Sequence, residues 1–226
     1  MALDTSLYRI QFCIVMADSQ SLDATERPRR RRAETVERLL DAALETFADV
    51  GFAAASVEDI CRRGGFTRGA FYSSFRTKDE LFGALFARET ARNLALAEQQ
   101  LVGIEQESDP VTAAVERCLS TFRADRTWVL VLTEYRLHAA RHAEAAAALL
   151  EHSATLHARL TQLIDDGVAR ARLRLTLPAD RLARMVLALH DGLVVAQATD
   201  PAGRDDATDL ERTALLLLLR SAVTSS

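Results

Sequence analysis

Between Val36 and Val50 the apolar residues stand at Val36, Leu39, Leu40, Ala43, Leu44, Phe47 and Val50. That i, i+3, i+4, i+7 recurrence collects them on one stripe of a 3.6-residue spiral. Residues 31–50 are therefore predicted as a helix with one buried face. Gly51 follows as a C-terminal stop. A chain that opens its ordered part this way needs other helices to cover the stripe. The composition supplies them, because the 226 residues hold only 9 Gly and 4 Pro and are rich in Ala, Leu, Arg and Glu. Such a mixture favours helix over sheet.

The next signals are start and stop marks in quick succession. Ser56 precedes Val57, Ile60 and Cys61, with Asp59 three residues on, a variant of the capping box. A short helix over 57–63 is predicted, ended by Gly64-Gly65, a pair that permits a positive φ and a tight turn. Thr67 caps a third helix, with Phe71 and Phe75 four residues apart facing inward. Thr77-Lys78-Asp79-Glu80 reads as a full T-x-x-E capping box opening a fourth helix that runs past Leu94 and Leu101. The "EQESDP" stretch at 105–110 breaks it. Five more helices are predicted near 110–124, 126–141, 143–171, 179–199 and 206–222. "LRLTL" alternates like a strand, but with no partner strand in view it is expected to be a loop.

A short helix, a glycine-bearing turn and a second short helix make a helix-turn-helix, whose second helix enters the major groove of DNA. With Phe66, Phe71 and Phe75 inward, Thr67, Arg68, Gly69, Tyr72 and Ser73 face outward. Arg68 suits a guanine edge or a phosphate, and Gly69 clears a side chain where backbone nears the duplex. Thr67, Tyr72 and Ser73 bring hydroxyls, and Ser56 is counted with them. Lys78, at the start of the fourth helix, is expected on a phosphate oxygen. Charge agrees: residues 27–38 carry a net +4 and residues 60–78 a net +5, so the remainder of a chain of net charge −4 carries −13. Two basic patches near one end of an acidic body mark where a polyanion is met. Arg29, Arg30, Arg31 and Arg32 are read as a phosphate-binding arm.

Residues 31–90 resemble the N-terminal domain of the TetR family of transcriptional regulators. The resemblance rests on Gly51-Phe52 closing the first helix, on "SVEDICRRGGFT" at 56–67 and on "RGAFYSSFRTKDEL" at 68–81. Gly64, Ala70 and Ser73-Ser74 depart from the family pattern. Farther on, "LALHDGLVVAQATDP" at 187–201 resembles a stretch of the family's penultimate helix. The resemblance implies an all-α chain with a three-helix DNA-binding head and a larger helical ligand-binding and dimerisation domain. It also implies a homodimer packed through the last two long helices, for which Leu182, Leu189, Gly192, Leu193 and Leu216 are the candidate contacts. A pocket between the middle helices follows from it too, for an effector that is largely apolar or aromatic. Its candidate lining is Phe122, Trp128, Leu132, Tyr135, His138, Met185 and His190, since aromatic bodies with polar tips suit such pockets.

The expected division is a poorly ordered tail at 1–26, a DNA-binding domain at 27–90 and an effector and dimerisation domain at 91–226. The expected function is a repressor on a palindromic operator, released by a small molecule. Two other readings stand beside it: a TetR-like protein acting through a protein partner, and a helical enzyme using the pocket. Against the enzyme, no nucleophile and base cluster, and no phosphate loop is visible. Glu134, His138 and His142 recur at i, i+4, i+8, too far along one helix to share an ion, so neither metal nor cofactor is expected. The three cysteines are widely spaced, which points to a reduced cytoplasmic protein. No run approaches the length of a membrane helix.

Overall fold

The computed structural model describes residues 31–121, 126–200 and 204–225. The expected tail at 1–26, Arg29, Arg30 and Phe122 lie outside them. Helix α1 covers 31–50 and α2 Val57–Gly64. Helix α3 is Arg68–Tyr72 and α4 is Lys78–Gln100. A 3-10 turn at Ile104–Gln106 leads to α5, Pro110–Thr121, and α6, Arg126–Ala139. The long α7, Ala143–Arg170, is followed by α8, Ala179–Thr199, and α9, Arg204–Ala222. The expected all-α class holds, with a three-helix head ahead of a larger helical body.

The predicted stripe of α1 is the core of the head. Leu39, Leu40, Ala43 and Phe47 are buried against Ile60, Cys61, Phe71, Phe75, Leu81, Phe82 and Leu85. Ser56 closes the capping box of α2 with Asp59, and Gly65 at φ 71° turns the chain in the left-handed region that a glycine tolerates. At α4 the box departs from expectation. Thr77 accepts from the Glu80 amide at 3.0 Å, but the Glu80 carboxylate reaches past the cap to the Arg76 amide at 2.7 Å. One more donor before the helix is satisfied in this way.

In the body, α4 and α8 pack on α7, α9 packs on α8 and α5, and α6 bridges α7 and α8. One expectation fails. Leu173–Leu175 is a strand, β1, paired antiparallel with Val223–Ser225, β2, in the register Leu173 to Ser225 and Leu175 to Val223. The partner lies fifty residues downstream, directly after α9, where no local pattern announces it. A two-stranded ribbon this short holds because α7 and α9 carry it.

Candidate nucleic-acid interface and ligand cavity

The turn between α2 and α3 buries Ile60, Cys61, Phe71 and Phe75 and leaves Thr67, Arg68, Gly69, Tyr72 and Ser73 in solvent. The predicted outward face is thus one continuous surface. Tyr72 is 50% exposed, uncommon for an aromatic residue beside a filled core. The Arg68 guanidinium lies 2.8 Å from Glu58 and 5.8 Å from the centre of the Tyr72 ring. An added Cβ at Gly69 would meet only the Thr67 hydroxyl, at 3.7 Å, so the fold itself does not require glycine there. Arg32 donates to the Ser73 carbonyl at 3.2 Å, which brings the start of α1 to the end of α3.

Two of the expected phosphate or base contacts are turned to other uses. The Ser56 hydroxyl is engaged with Asp59 in the α2 cap and lowers that carboxyl's pKa. Lys78 points inward: its ammonium donates to the carbonyls of Phe52 and Ala55 (2.8 Å for Ala55) and stands 4.4 Å from the Phe52 ring centre. Burial pushes its pKa below the usual lysine value. A lysine that ties off the α1–α2 turn from beneath is not free to reach a phosphate in this arrangement.

Directly behind that turn, head and body are joined. Gly51 takes φ +83°, and the Phe52 amide that it exposes donates to the Glu134 carboxylate of α6 at 2.8 Å. Asp79 receives the Tyr135 hydroxyl at 3.1 Å and faces His138 Nε2 at 3.2 Å. Tyr135 stacks on Phe82 with centroids 3.5 Å apart, and burial followed by Asp79 raises its phenol above the ordinary value. Tyr135 and His138 therefore belong to the joint and not to the pocket. Aromatic rings with polar tips suit both sites, and periodicity alone cannot separate them.

The pocket lies deeper, as a cavity of about 560 Å³ among α4 to α9. Trp128, Leu132 and His190 line it as expected. Met185 does not; it is 44% exposed on the outer face of α8. The lining is mainly apolar, with a polar seam from α6, α8 and α9. Arg136 pairs with Asp191 at 2.7 Å, and Glu211, only 4% exposed, holds His190 at 2.7 Å and Gln197 at 3.3 Å. Sequence reasoning missed Arg136, Asp191 and Glu211. A signal for Glu211 existed, since it shares the inward stripe of α9 with Leu215 and Ala222, four and eleven residues on.

Cys118 of α5 also lines the cavity, and burial pushes its thiol from 9.0 up to about 11. Below pH 9 the thiol is neutral in folded and unfolded chains alike. Between pH 9 and 11 the unfolded chain gives up the proton and the folded one keeps it, so stability falls as pH rises. The loss should be on the order of 2 kcal/mol. Urea titrations at pH 8 and pH 11 should show a smaller fall for Cys118→Ala; an identical fall would mean that the thiol is solvated in the fold.

The candidate dimer contacts divide. Leu182 is fully buried within its own subunit and has no surface to offer a partner. It lies on the inward stripe of α8, which apolarity alone does not distinguish from an outward one. Leu189, Leu193 and Leu216 are half-buried and Gly192 is exposed with open space before it. Met185, Ala188 and Ala196 on α8, and Leu210 and Leu217 on α9, are further apolar residues exposed on the same two helices.

Among described residues no three His, Cys, Asp or Glu side chains group to hold a metal ion, and no helix is long and apolar enough to cross a membrane. Two family models match. Residues 39–85 fit the bacterial regulatory proteins of the tetR family, and residues 108–220 fit the C-terminal domain of BetI-type transcriptional repressors. The uncharacterized HTH-type transcriptional regulator Mb2936c of Mycobacterium bovis is 34% identical over 86 residues, 38% of this chain and 44% of that one. The chain thus spans less than half the length of that relative. The HTH-type transcriptional regulator TtgR of Pseudomonas putida is 30% identical over 197 residues, 82% of this chain and 90% of its own. Among solved structures, the regulator FadR from Bacillus subtilis, in complex with stearoyl-CoA, superposes with a TM-score of 0.64 at 18% identity, over 80% of this chain and 96% of that one.

Proposed function

The chain belongs to the TetR family of transcriptional regulators, and from that premise we propose that it is a repressor that binds an inverted-repeat operator as a homodimer in the cytoplasm and is released by a small molecule. The observation that carries the reading is the solvent-facing set Thr67, Arg68, Gly69, Tyr72 and Ser73 above a wholly buried Phe71. Arg29–Arg32 add phosphate contacts, and Arg32 stands at the end of α3. We divide the chain into a DNA-reading head up to residue 90 and an effector and dimerisation body from 91, with α4 running through the boundary. The effector occupies the 560 Å³ cavity and favours a conformation in which the two α3 helices no longer match successive major grooves, about 34–36 Å apart. FadR's complex with stearoyl-CoA supports a ligand-holding body in this fold. An open cavity counts against the reading in which a protein partner replaces the effector.

The test is a gel shift on inverted repeats selected from random duplexes, repeated with any compound that changes Trp128 fluorescence. Selection without a palindrome, or a bound compound that leaves operator affinity untouched, would overturn the corresponding half of the reading.

The homodimer has its own check. Leu217 is 68% exposed on α9, so an arginine there should leave the monomer folded. In a dimer that buries the α8–α9 face, Leu217→Arg buries a charge without a partner, a loss of about 3 kcal/mol or more. Sedimentation should then find folded monomers. A variant that remains dimeric would move the interface off this face.

A further inference from the structure

We propose that the cavity takes amphiphilic cations, an apolar body ending in a protonated amine or an amidinium, and that Glu211 receives the charged end. The proposal rests on the cavity being the effector site and adds the chemical class of the effector.

Charge matching in an apolar enclosure points to this class. Among the described lining residues, Glu89 is held by Arg88 at 2.9 Å, from outside the cavity, and Arg136 is held by Asp191. Both are matched by a partner that is always charged or always an anion at neutral pH. Among the described residues, the cationic partner of Glu211 is the imidazole of His190, which balances it only when protonated. Its other hydrogen-bond partner among the described residues is a neutral amide, Gln197.

Among the described residues, each oxygen of the carboxylate accepts from one donor, at 2.7 and 3.3 Å. A carboxylate offers about four acceptor positions, so roughly two remain for a ligand. An ammonium or amidinium brings several N–H donors and a positive charge to that point, and the low-dielectric lining strengthens the attraction. An anionic end group would meet Glu211 and Asp191 with Arg136 already engaged, and its desolvation would go uncompensated. The apolar remainder of the lining, Trp128, Leu132 and Leu94 among it, then accepts an alkyl or aromatic body.

Three ten-carbon probes that differ only in the end group test this on the full-length protein: n-decylamine, decan-1-ol and decanoate. Trp128 is the single tryptophan and lines the cavity, so its fluorescence reports occupation. Decylamine at pH 7 should bind at least ten times tighter than either of the others. Glu211→Gln keeps the size and one acceptor oxygen; it should weaken decylamine about tenfold and leave decanol unchanged. Decanoate binding as tightly as decylamine, or no fluorescence response to any of the three, would overturn the proposal. If Glu211→Gln does not fold, the ranking of the three probes on the unmodified protein decides alone. Gel shift with the same probes separates this from the regulatory reading: selective binding of decylamine with no release of DNA sinks the release mechanism and leaves the ligand class standing.

Discussion

Phe52→Ala should lower the unfolding free energy by about 3–5 kcal/mol, the range for emptying a buried aromatic site. Phe52 is 1% exposed and has ring centroids of Phe47, Tyr135 and Phe82 at 5.1, 4.8 and 5.9 Å, with His138 at 4.9 Å and the Lys78 ammonium over its face. These partners come from α1, α4 and α6, so the void cannot close by the movement of one element. Removing the ring also takes away an aromatic face from a lysine that burial already disfavours in its charged form. Urea unfolding followed by circular dichroism measures the change. A loss under about 1 kcal/mol would show that the neighbours collapse into the space and that the joint is less rigid than its contacts imply.

Arg68→Ala should weaken binding to the selected operator by about 1–3 kcal/mol, a factor of roughly five to one hundred and fifty, and relax preference at one base pair. The structure sharpens this. In the free protein Arg68 is paired with Glu58, both half or more exposed. An exposed pair of this kind is worth at most about 1 kcal/mol, less than a two-point contact with guanine returns, so the duplex can draw the guanidinium away. Glu58→Gln should therefore tighten binding slightly, while Arg68→Ala should weaken it. Both are read by gel shift at fixed salt. If Arg68→Ala lowers affinity equally on every sequence, the residue contacts phosphate and another side chain reads the base.

How much of this was legible beforehand depends on the range over which each signal acts. The end of α1, both ends of α2 and the start of α4 were announced by caps, glycines and stripes, all of them local. The outward face of α3 followed from Phe71 and Phe75 by helical geometry alone. The strand pairing of Leu173–Leu175 did not, because its partner is set by where α9 ends. Lys78 misled because a helix start favours phosphate in general, whereas the carbonyls it meets belong to a turn twenty-odd residues earlier. Tyr135, His138 and His190 looked alike as aromatic residues with polar tips; two sit on Asp79 or Phe52 and one on Glu211, and only the packing of α6 against the head distinguishes them. Leu182 failed for the same reason, its stripe facing its own core.

The Glu134 bond to the Phe52 amide has an implication for building chimaeras. Heads and bodies of related regulators invite exchange as modules, with the cut placed in α4. Here the head's closing turn depends on an acceptor from the body, and Asp79 depends on Tyr135 and His138. The donor is main chain and comes with any head that makes the same turn, but the acceptor is a side chain, so a head moved onto a body without a carboxylate at this place would arrive with an orphaned amide. The unit that travels intact is the head together with positions 134, 135 and 138 of α6. A designer who carries those three across keeps the hydrogen bonds that join head and body.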